Sequence, residues 1–211
     1  MPATVRYDAQ YCPIARALDV LADRWTLLIL REVMAGHERF SDIRDNLPGI
    51  APGVLTARLR TMEEQQLIAV AGSQTRPRYV LGARGHDAVP VMRSLSKYGM
   101  PILEDPRPAR AKRPWNAVQT CLVAYYTASH ASTVRETYLI CLNDEEFSLT
   151  SRGELGSSSG PVLRIELSPS TLFAIRKGLT SLSDAMNAGD VRVTGSKAAL
   201  ARFCRTFQLF L

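Results

Sequence analysis

The segment from Ala51 to Leu67 constrains the fold of this chain more than any other. At about 100° per residue, Leu55, Leu59 and Met62 share one face of a helix. The rest of the surface of that helix carries Gly53, Thr56, Ala57, Arg60 and Glu64. Residues 43–50, IRDNLPGI, come directly before it and indicate the end of a short helix and a Pro-Gly turn. A helix, a tight turn and a second helix with a small, basic front predict a unit that places its second helix in the major groove of DNA.

The residues before this segment predict three further helices. Apolar residues at helical spacing indicate a short helix over 14–21 and a strongly apolar one over 24–34, which Gly36 ends. The first helix of the helix-turn-helix begins near residue 39, with Ser41 predicted as its N-cap. For the second helix, Ala51 is the predicted N-cap and Pro52 occupies the first turn, where a missing amide hydrogen costs nothing.

The residues after the segment predict a β-hairpin with a basic tip. Residues 67–70 and 79–81 indicate two short strands, and the polar stretch between them carries Arg76 and Arg78. This is the outline of a wing, and a further helix follows over residues 86–100.

Composition fits a protein that binds a polyanion but does not establish one. The chain has 211 residues, 46% of them hydrophobic, and a net charge of +6 whose basic excess lies before residue 115. No apolar run approaches the roughly 20 residues that cross a bilayer, and the N-terminus lacks the apolar core of a signal peptide. We therefore expect a globular, cytoplasmic protein that does not associate with membranes.

Motifs in one order along residues 8–100 carry a specific resemblance. They are Cys12-Pro13, Asp23 to Thr26, Leu27 to Arg31, Arg39 to Ser41, Leu47 to Ile50, Leu55 with Arg58-Leu59, and Arg76 to Leu81. In this order they resemble the HxlR-type winged-helix regulators of bacteria. The resemblance implies a homodimer, joined through the first and last helices of the domain, that binds double-stranded DNA at a two-fold operator.

The resemblance also implies which residues contact DNA. Its major-groove residues are Ala51, Pro52, Gly53, Thr56 and Arg60, its phosphate-contacting or phosphate-steadying residues are Thr26, Ser41 and Arg58, and its minor-groove residues are Arg76 and Arg78. Alone, Arg58 and Arg60 fit a solvated helix face, but the turn, the small residues and the wing together favour DNA contact. Members of the family often carry Ser at the position of Ala51 and a basic residue at that of Gly53, so we expect thinner base readout here.

The second half of the chain has a different pattern. Residues 101–114 are rich in proline and basic side chains and predict a linker between a domain at 1–100 and a smaller one at 115–211. In the latter, helices are expected over 118–126, 172–182 and 200–207, and strands over 137–142, 147–150, 162–167 and 191–194. The fold class is therefore α+β, with an N-terminal winged helix-turn-helix domain followed by a smaller α+β domain.

The end of the second half, from Gly189 to Phe203, looks like the close of a sterol-carrier-protein-like domain. That resemblance implies a small sheet covered by helices around an apolar cavity, which can admit a fatty or sterol-like effector. It leaves open an alternative function: an apolar-ligand carrier in which the winged helix only mediates association between proteins.

The sequence offers little support for catalysis or for a cofactor. The three histidines stand apart from any suggested nucleophile, and the cysteines form no close pair, so we expect no enzyme activity, no metal site and no cofactor. Cys121 and Cys204 lie on apolar helix faces and are expected to be buried. Cys12 lies in a polar arm, and the HxlR resemblance makes it a candidate redox-sensing thiol.

Overall fold

The helices in the first part of the chain form where apolar residues recur at helical spacing. The computed structural model describes residues 11–73, 75–103, 114–128, 135–155 and 160–209. The elements of the first part are α1 (Pro13–Leu21), α2 (Thr26–Met34), α3 (Phe40–Asn46), α4 (Pro52–Glu64), β1 (Ile68–Ser73), β2 (Arg76–Leu81) and α5 (Ala83–Gly99). Strands β1 and β2 pair antiparallel, from Ile68 opposite Leu81 to Ser73 opposite Arg76, and form the predicted wing.

The predicted ends of three helices can be compared with the structure. Ala51 is the N-cap of α4 and Pro52 follows it in the first turn, which confirms both predictions. Gly36 follows α2 with a φ of +86°, so the predicted stop is also confirmed. The prediction for Ser41 is wrong: α3 begins at Phe40 with Arg39 as its N-cap, and no side chain caps it.

The apolar face of α4 is the centre of the first core. Leu55, Leu59 and Met62 are all buried, as their spacing predicts. Around them pack buried residues from the neighbouring elements, including Ile29, Leu30, Ile43, Leu47 and Ile68. Because one side of α4 is committed to this core, the opposite side is held at the surface in a fixed orientation.

A close approach between backbones joins the segment between α4 and β1 to the start of α5. The amide of Gly82 donates to the carbonyl of Leu67 at 3.0 Å, and that of Arg84 donates to the carbonyl of Gln66 at 3.1 Å. A Cβ atom on Gly85 would lie 2.0 Å from the oxygen of Leu67, so only glycine fits at this position.

The chain divides into two compact units, Met1–Met92 and Arg93–Leu211, and the division falls inside α5. The second unit, counted in this way, is the longer one. Residues 104–113 of the expected linker lie outside the described residues, so the linker remains a prediction.

The second unit contains a mixed sheet and several helices. Its elements are α6 (Pro114–Cys121), a short 3-10 helix (Val123–Tyr125), β3 (Thr137–Leu142), β4 (Glu145–Thr150), β5 (Leu163–Leu167), α7 (Pro169–Arg176), α8 (Leu182–Asn187), β6 (Val191–Gly195) and α9 (Lys197–Phe207). The strand order is β4-β3-β5-β6, with β3 parallel to β5 and the other neighbours antiparallel. The α+β class is confirmed.

Two helices of this unit differ from their predictions. The expected helix over 118–126 begins earlier, at Pro114, and ends at Cys121. The expected helix over 172–182 is two helices, because Gly178 takes a φ of +72° after α7. Ser181 then caps α8 by accepting a hydrogen bond from the amide of Asp184 at 2.9 Å.

Hydrogen bonds and an ion pair from two arginines connect helices and strands of the second unit. The guanidinium of Arg176 donates to the carbonyls of Cys121 and Gln208, both at 2.7 Å, and of Phe207 at 2.8 Å. The guanidinium of Arg202 forms a two-pronged ion pair with the buried carboxylate of Glu136. These contacts join α7 to the ends of α6 and α9, and α9 to the start of β3.

Candidate nucleic-acid interface

The first two turns of α4 present small residues to solvent. Ala51, Pro52, Gly53 and Thr56 are all exposed, which places them on the side that the periodicity predicts. A Cβ atom on Gly53 would meet no atom within 4 Å, so nothing of the described chain crowds this turn. The hydroxyl of Thr56 donates to the carbonyl of Pro52 at 3.0 Å, which leaves its oxygen lone pairs facing outward as acceptors. A groove of DNA could approach this backbone closely.

Arg60 extends from the same exposed surface. Its side chain is 83% exposed, and its Nε atom contacts the Glu64 carboxylate at 3.1 Å, one helical turn further along. An exposed pair of this kind is weak and breaks readily when a stronger acceptor arrives. Arg60 can therefore reach a base edge or a phosphate.

Arg58 is held more firmly. Its guanidinium is paired with Asp23, and its side chain is 27% exposed. Asp23 also accepts a hydrogen bond from the amide of Trp25 at 3.0 Å, at the start of α2. Arg58 thus connects α4 to the N-terminal end of α2, and its charge is largely compensated within the protein.

Thr26 does not reach the interface. It is 1% exposed, and its hydroxyl is enclosed with no hydrogen-bond partner among the described residues. In this conformation the Thr26 side chain cannot contact a phosphate directly, and a role in steadying the phosphates remains a prediction. Thr26 is the first residue of α2, and its side chain lies on the buried face of that helix.

Ser41 is exposed at the start of α3, as a phosphate contact requires. Its hydroxyl donates to Asp42 Oδ1 at 3.0 Å, so this donor is already used within the protein. Its role toward DNA remains a prediction.

The wing is attached to the connector between α2 and α3. The amide of Tyr79 donates to the carbonyl of Glu38 at 2.8 Å, and Arg78 Nη1 contacts the Glu38 carboxylate at 3.3 Å. Both wing arginines, Arg76 and Arg78, are exposed. Gln74, between the two strands, lies outside the described residues.

Arg39 is a functional candidate that the sequence does not reveal. Its Nη1 atom donates to the carbonyls of Arg76 at 2.9 Å and Pro77 at 3.2 Å. The only indication in the sequence is that Arg39 belongs to the Arg39-Phe40-Ser41 motif of the HxlR resemblance. Its partners lie more than 35 positions away and are backbone atoms, so no pattern of residue types could identify them.

The burial predicted for Cys121 and Cys204 is confirmed, and Cys141 is buried as well. Cys12 is half-buried at the N-cap of α1, whereas Cys121, Cys141 and Cys204 are buried. Burial raises the pKa of Cys121 to about 12 and that of Cys204 to about 11, which keeps both as thiols at neutral pH. Redox sensing by Cys12 remains a prediction.

The interior of the second unit is filled by side chains. A cavity lined by residues that include Leu122, Ile140, Leu172 and Phe203 has a volume of about 10 Å³. That is room for one water molecule at most, whereas sites for small molecules measure roughly 300–1,000 Å³. In this conformation the cavity cannot hold a fatty or sterol-like molecule.

The described residues show neither a metal-binding group nor a membrane span. No cluster of three or more His, Cys, Asp or Glu side chains with metal-binding geometry lies among them. None of the described helices combines the length and apolar composition that crossing a bilayer requires.

Helix α4 buries an apolar face and exposes small and basic residues. A tight turn precedes it and a β-hairpin follows it. This arrangement defines a winged helix-turn-helix protein. Comparison with known proteins supports this class. The family model described as HxlR-like helix-turn-helix matches residues 20–106.

Two curated relatives cover most of their own length in this match. The uncharacterized HTH-type transcriptional regulator sll1512 of Synechocystis sp. is 36% identical over 96 residues, which are 44% of this chain and 71% of that protein. YvaP of Bacillus subtilis, also an uncharacterized HTH-type transcriptional regulator, is 30% identical over 95 residues, 43% of this chain and 88% of that protein. The chain belongs to the HxlR-like helix-turn-helix family, whose relatives are transcriptional regulators.

A comparison with solved structures gives one example of similarity. PA1607, a candidate transcription factor, aligns with a TM-score of 0.43 and 32% identity over 46% of this chain and 70% of that chain.

Proposed function

We propose that this protein is a homodimeric transcriptional regulator that binds a two-fold operator in double-stranded DNA. The observation that carries the proposal is the exposed face of α4: small residues from Ala51 to Gly53 lead it, and Arg60 extends from it. Its buried apolar face fixes that orientation. In such an arrangement each α4 enters a major groove, about 34–36 Å from its twin.

The first turn of α4 allows DNA to approach the backbone closely but offers few side chains that can read bases. Ala51 and Gly53 carry no hydrogen-bonding side-chain atoms, so base contacts fall to Thr56 and Arg60. Arg76 and Arg78 on the wing then supply minor-groove or phosphate contacts. Much of the affinity comes from phosphates, and much of the specificity comes from the wing and from the spacing of the two subunits.

Exposed apolar side chains support a dimer. Ile14 and Leu18 are exposed on α1, and Leu95 and Tyr98 are exposed on α5. Large apolar residues grouped on a helix surface are typical of protein–protein contacts. The HxlR resemblance assigns dimerisation to these same two helices.

For the second unit we favour a structural role over ligand binding. The sterol-carrier-like arrangement is a resemblance, and the 10 Å³ cavity favours a packed core. An effector would have to open this core and to bind the two states of the regulator with different affinity. The alternative of an apolar-ligand carrier has no observation in its favour here.

Binding to a DNA duplex that the protein itself selects from a random-sequence library tests the regulator. Arg60→Ala is expected to weaken binding to the selected duplex roughly 5- to 150-fold, equivalent to about 1–3 kcal/mol, because a base contact is lost. Arg78→Ala is expected to weaken binding to the selected duplex more than binding to a scrambled one, because the wing supplies part of the specificity. Affinity is measured by fluorescence anisotropy at a series of salt concentrations.

Arg192→Ala is the matched control, since Arg192 is an exposed arginine on β6 that pairs with Glu166 at 3.3 Å. It should bind as the wild type does. If neither Arg60→Ala nor Arg78→Ala changes the affinity, the interface described above is not the one that binds DNA.

A further inference from the structure

We propose that the cleft between the start of α3 and the wing is a phosphate-binding site for the DNA backbone, with Arg39 and Arg76 as its cationic groups. The proposal rests on the proposed function and adds to it a residue, Arg39, that the HxlR resemblance did not assign to DNA. The lining of the cleft consists of Arg39, Phe40, Ser41, Thr75, Arg76 and Pro77.

The geometry fixes Arg39 at this cleft. Its Nη1 atom donates to two successive carbonyls of β2, those of Arg76 at 2.9 Å and Pro77 at 3.2 Å. A guanidinium carries five N–H donors, and one nitrogen is used here. The remaining donors of this exposed side chain are oriented by the anchored nitrogen, as a two-pronged contact with phosphate oxygens requires.

Charge compensation distinguishes Arg39 and Arg76 from the arginines that the resemblance places on α4 and at Arg78. Arg58 is paired with Asp23, Arg60 with Glu64 and Arg78 with Glu38. Among the residues that the structure describes, no ion pair joins an acidic side chain to Arg39 or Arg76.

Two uncompensated cations at one cleft create a local positive potential. Because neither guanidinium is paired with a carboxylate among the described residues, the cleft favours a phosphate over a neutral group. The three compensated arginines must first give up a carboxylate partner, which reduces their net gain from the same contact.

The hydroxyls of the cleft play a smaller part. Ser41 donates to Asp42, and Thr75 shares a hydrogen bond with Ser73 at 3.1 Å. In this conformation the guanidinium groups are therefore the main donors. A phosphate held in this way carries no base information, so the site should strengthen binding to all sequences and give it a steeper dependence on salt.

The salt dependence of binding to a random-sequence 30-base-pair duplex tests the site. The slope of log K against log salt concentration is negative, and each lost phosphate contact reduces its magnitude by about 0.9. Arg39→Ala and Arg76→Ala should each reduce the magnitude of the slope by about 1 per protomer. Arg39→Lys keeps the charge and should retain most of the slope of the wild type. Arg76→Ala leaves the carbonyl that Arg39 bonds in place, so it tests the site without loosening the wing.

Arg44→Ala is the control, because Arg44 lies on the same helix and pairs with Asp45 at 2.9 Å. Its slope should equal that of the wild type. If Arg39→Ala and Arg76→Ala weaken binding but leave the slope unchanged, the residues only shape the wing and the phosphate site is overturned while the regulator stands. Absence of salt-dependent binding by the wild type would overturn the proposed function and the site with it.

Discussion

Arg58 and Arg60 are two positions apart on α4 and have different surroundings. The Arg60 side chain is 83% exposed with a weak partner one turn away, whereas that of Arg58 is 27% exposed and held by Asp23. Sequence periodicity placed Arg60 on the outward face of α4, and the HxlR resemblance assigned Arg58 to phosphate contact. Neither could show that Asp23, 35 positions earlier, compensates Arg58, since that pairing depends on how α2 packs.

Thr26 and Ser41 show the same limit of sequence reasoning. Both are small hydroxylic residues at helix starts, and both were expected near phosphate. Thr26 faces the core and Ser41 faces solvent, because only the packing of each helix decides which side of its first turn is covered. Residue type alone does not carry that information.

Gly85 offers a test of the backbone contact between the segment before β1 and the start of α5. Gly85→Ala would place a Cβ atom 2.0 Å from the Leu67 oxygen, so the backbones must separate. We expect a loss of about 1–3 kcal/mol in the free energy of unfolding, or more if the contact cannot adjust. Chemical denaturation monitored by circular dichroism measures it.

Gly99→Ala is the control in the same helix, because a Cβ atom there would meet no atom within 4 Å. It should be neutral or stabilising by up to about 1 kcal/mol, as expected for alanine in a helix. Equal effects of the two substitutions would contradict the close approach at Gly85.

At the scale of elements, the wing and α4 were predictable because their signals are local. Alternation, a Pro-Gly turn and a helix-starting proline each act within a few residues. The division between α7 and α8 was not predicted: Leu172, Ile175, Leu179 and Leu182 keep helical spacing through the break. Gly178 and the cap at Ser181 overrule that spacing.

The link between β3 and α9 depends on one buried carboxylate. Glu136 accepts from Arg202 and from the hydroxyl of Tyr138 at 2.9 Å. The hydrogen bonds from Arg202, with a smaller contribution from Tyr138, hold the pKa of Glu136 below its ordinary value although burial opposes this. The ionised carboxylate therefore stabilises the folded state.

Glu136→Gln is expected to lower the free energy of unfolding at pH 7 by about 1.5–3 kcal/mol, because hydrogen bonds to a charged group are lost. The folded-state pKa lies below the unfolded one, so this contribution is complete above the unfolded value near 4.3 and is lost as pH falls through the folded value. The difference between wild type and variant should thus shrink in acid. Denaturation curves at pH 7 and at pH 3–4 measure it.

The exposed Glu145→Gln on β4 serves as the control for that experiment. It should leave stability close to that of the wild type at both pH values. A difference between wild type and Glu136→Gln that stays constant with pH would show that the carboxylate charge is not what links β3 to α9.

For the whole molecule, the change in composition and the division into compact units fall at different positions along the chain. Composition changes near residue 101, whereas the two compact units divide after Met92, inside α5. Met100 packs in the core of the second unit, which a helix-by-helix interpretation of the sequence cannot anticipate. The sterol-carrier resemblance implies an apolar cavity for a ligand, whereas the cavity lined by Leu122 and Phe203 has a volume of only about 10 Å³.

The oligomeric state tests the proposed dimer. Replacing Leu95 and Tyr98 together with lysine should convert the dimer to a monomer, because two charges would have to be buried at the interface. Sedimentation velocity measures the change. These side chains are exposed in the single chain, so its fold should tolerate the substitutions.

Leu179→Lys is the matched control for the dimer, since Leu179 is an exposed apolar residue between α7 and α8. It should remain dimeric. A double variant that sediments as the wild type does would remove α5 from the interface.

The attachment of the wing to residues 38 and 39 has a consequence for the kinetics of recognition. Hairpins that order only on contact lose conformational entropy at that moment, which lowers affinity and slows productive encounters. Here the guanidinium of Arg39 and the amide of Tyr79 already make hydrogen bonds between the wing and residues 38 and 39 in the unbound chain. If the protein binds DNA as proposed, we therefore expect docking with little rearrangement of the wing, and we expect substitutions at the outward positions of β2 to change affinity while leaving the association rate almost unchanged.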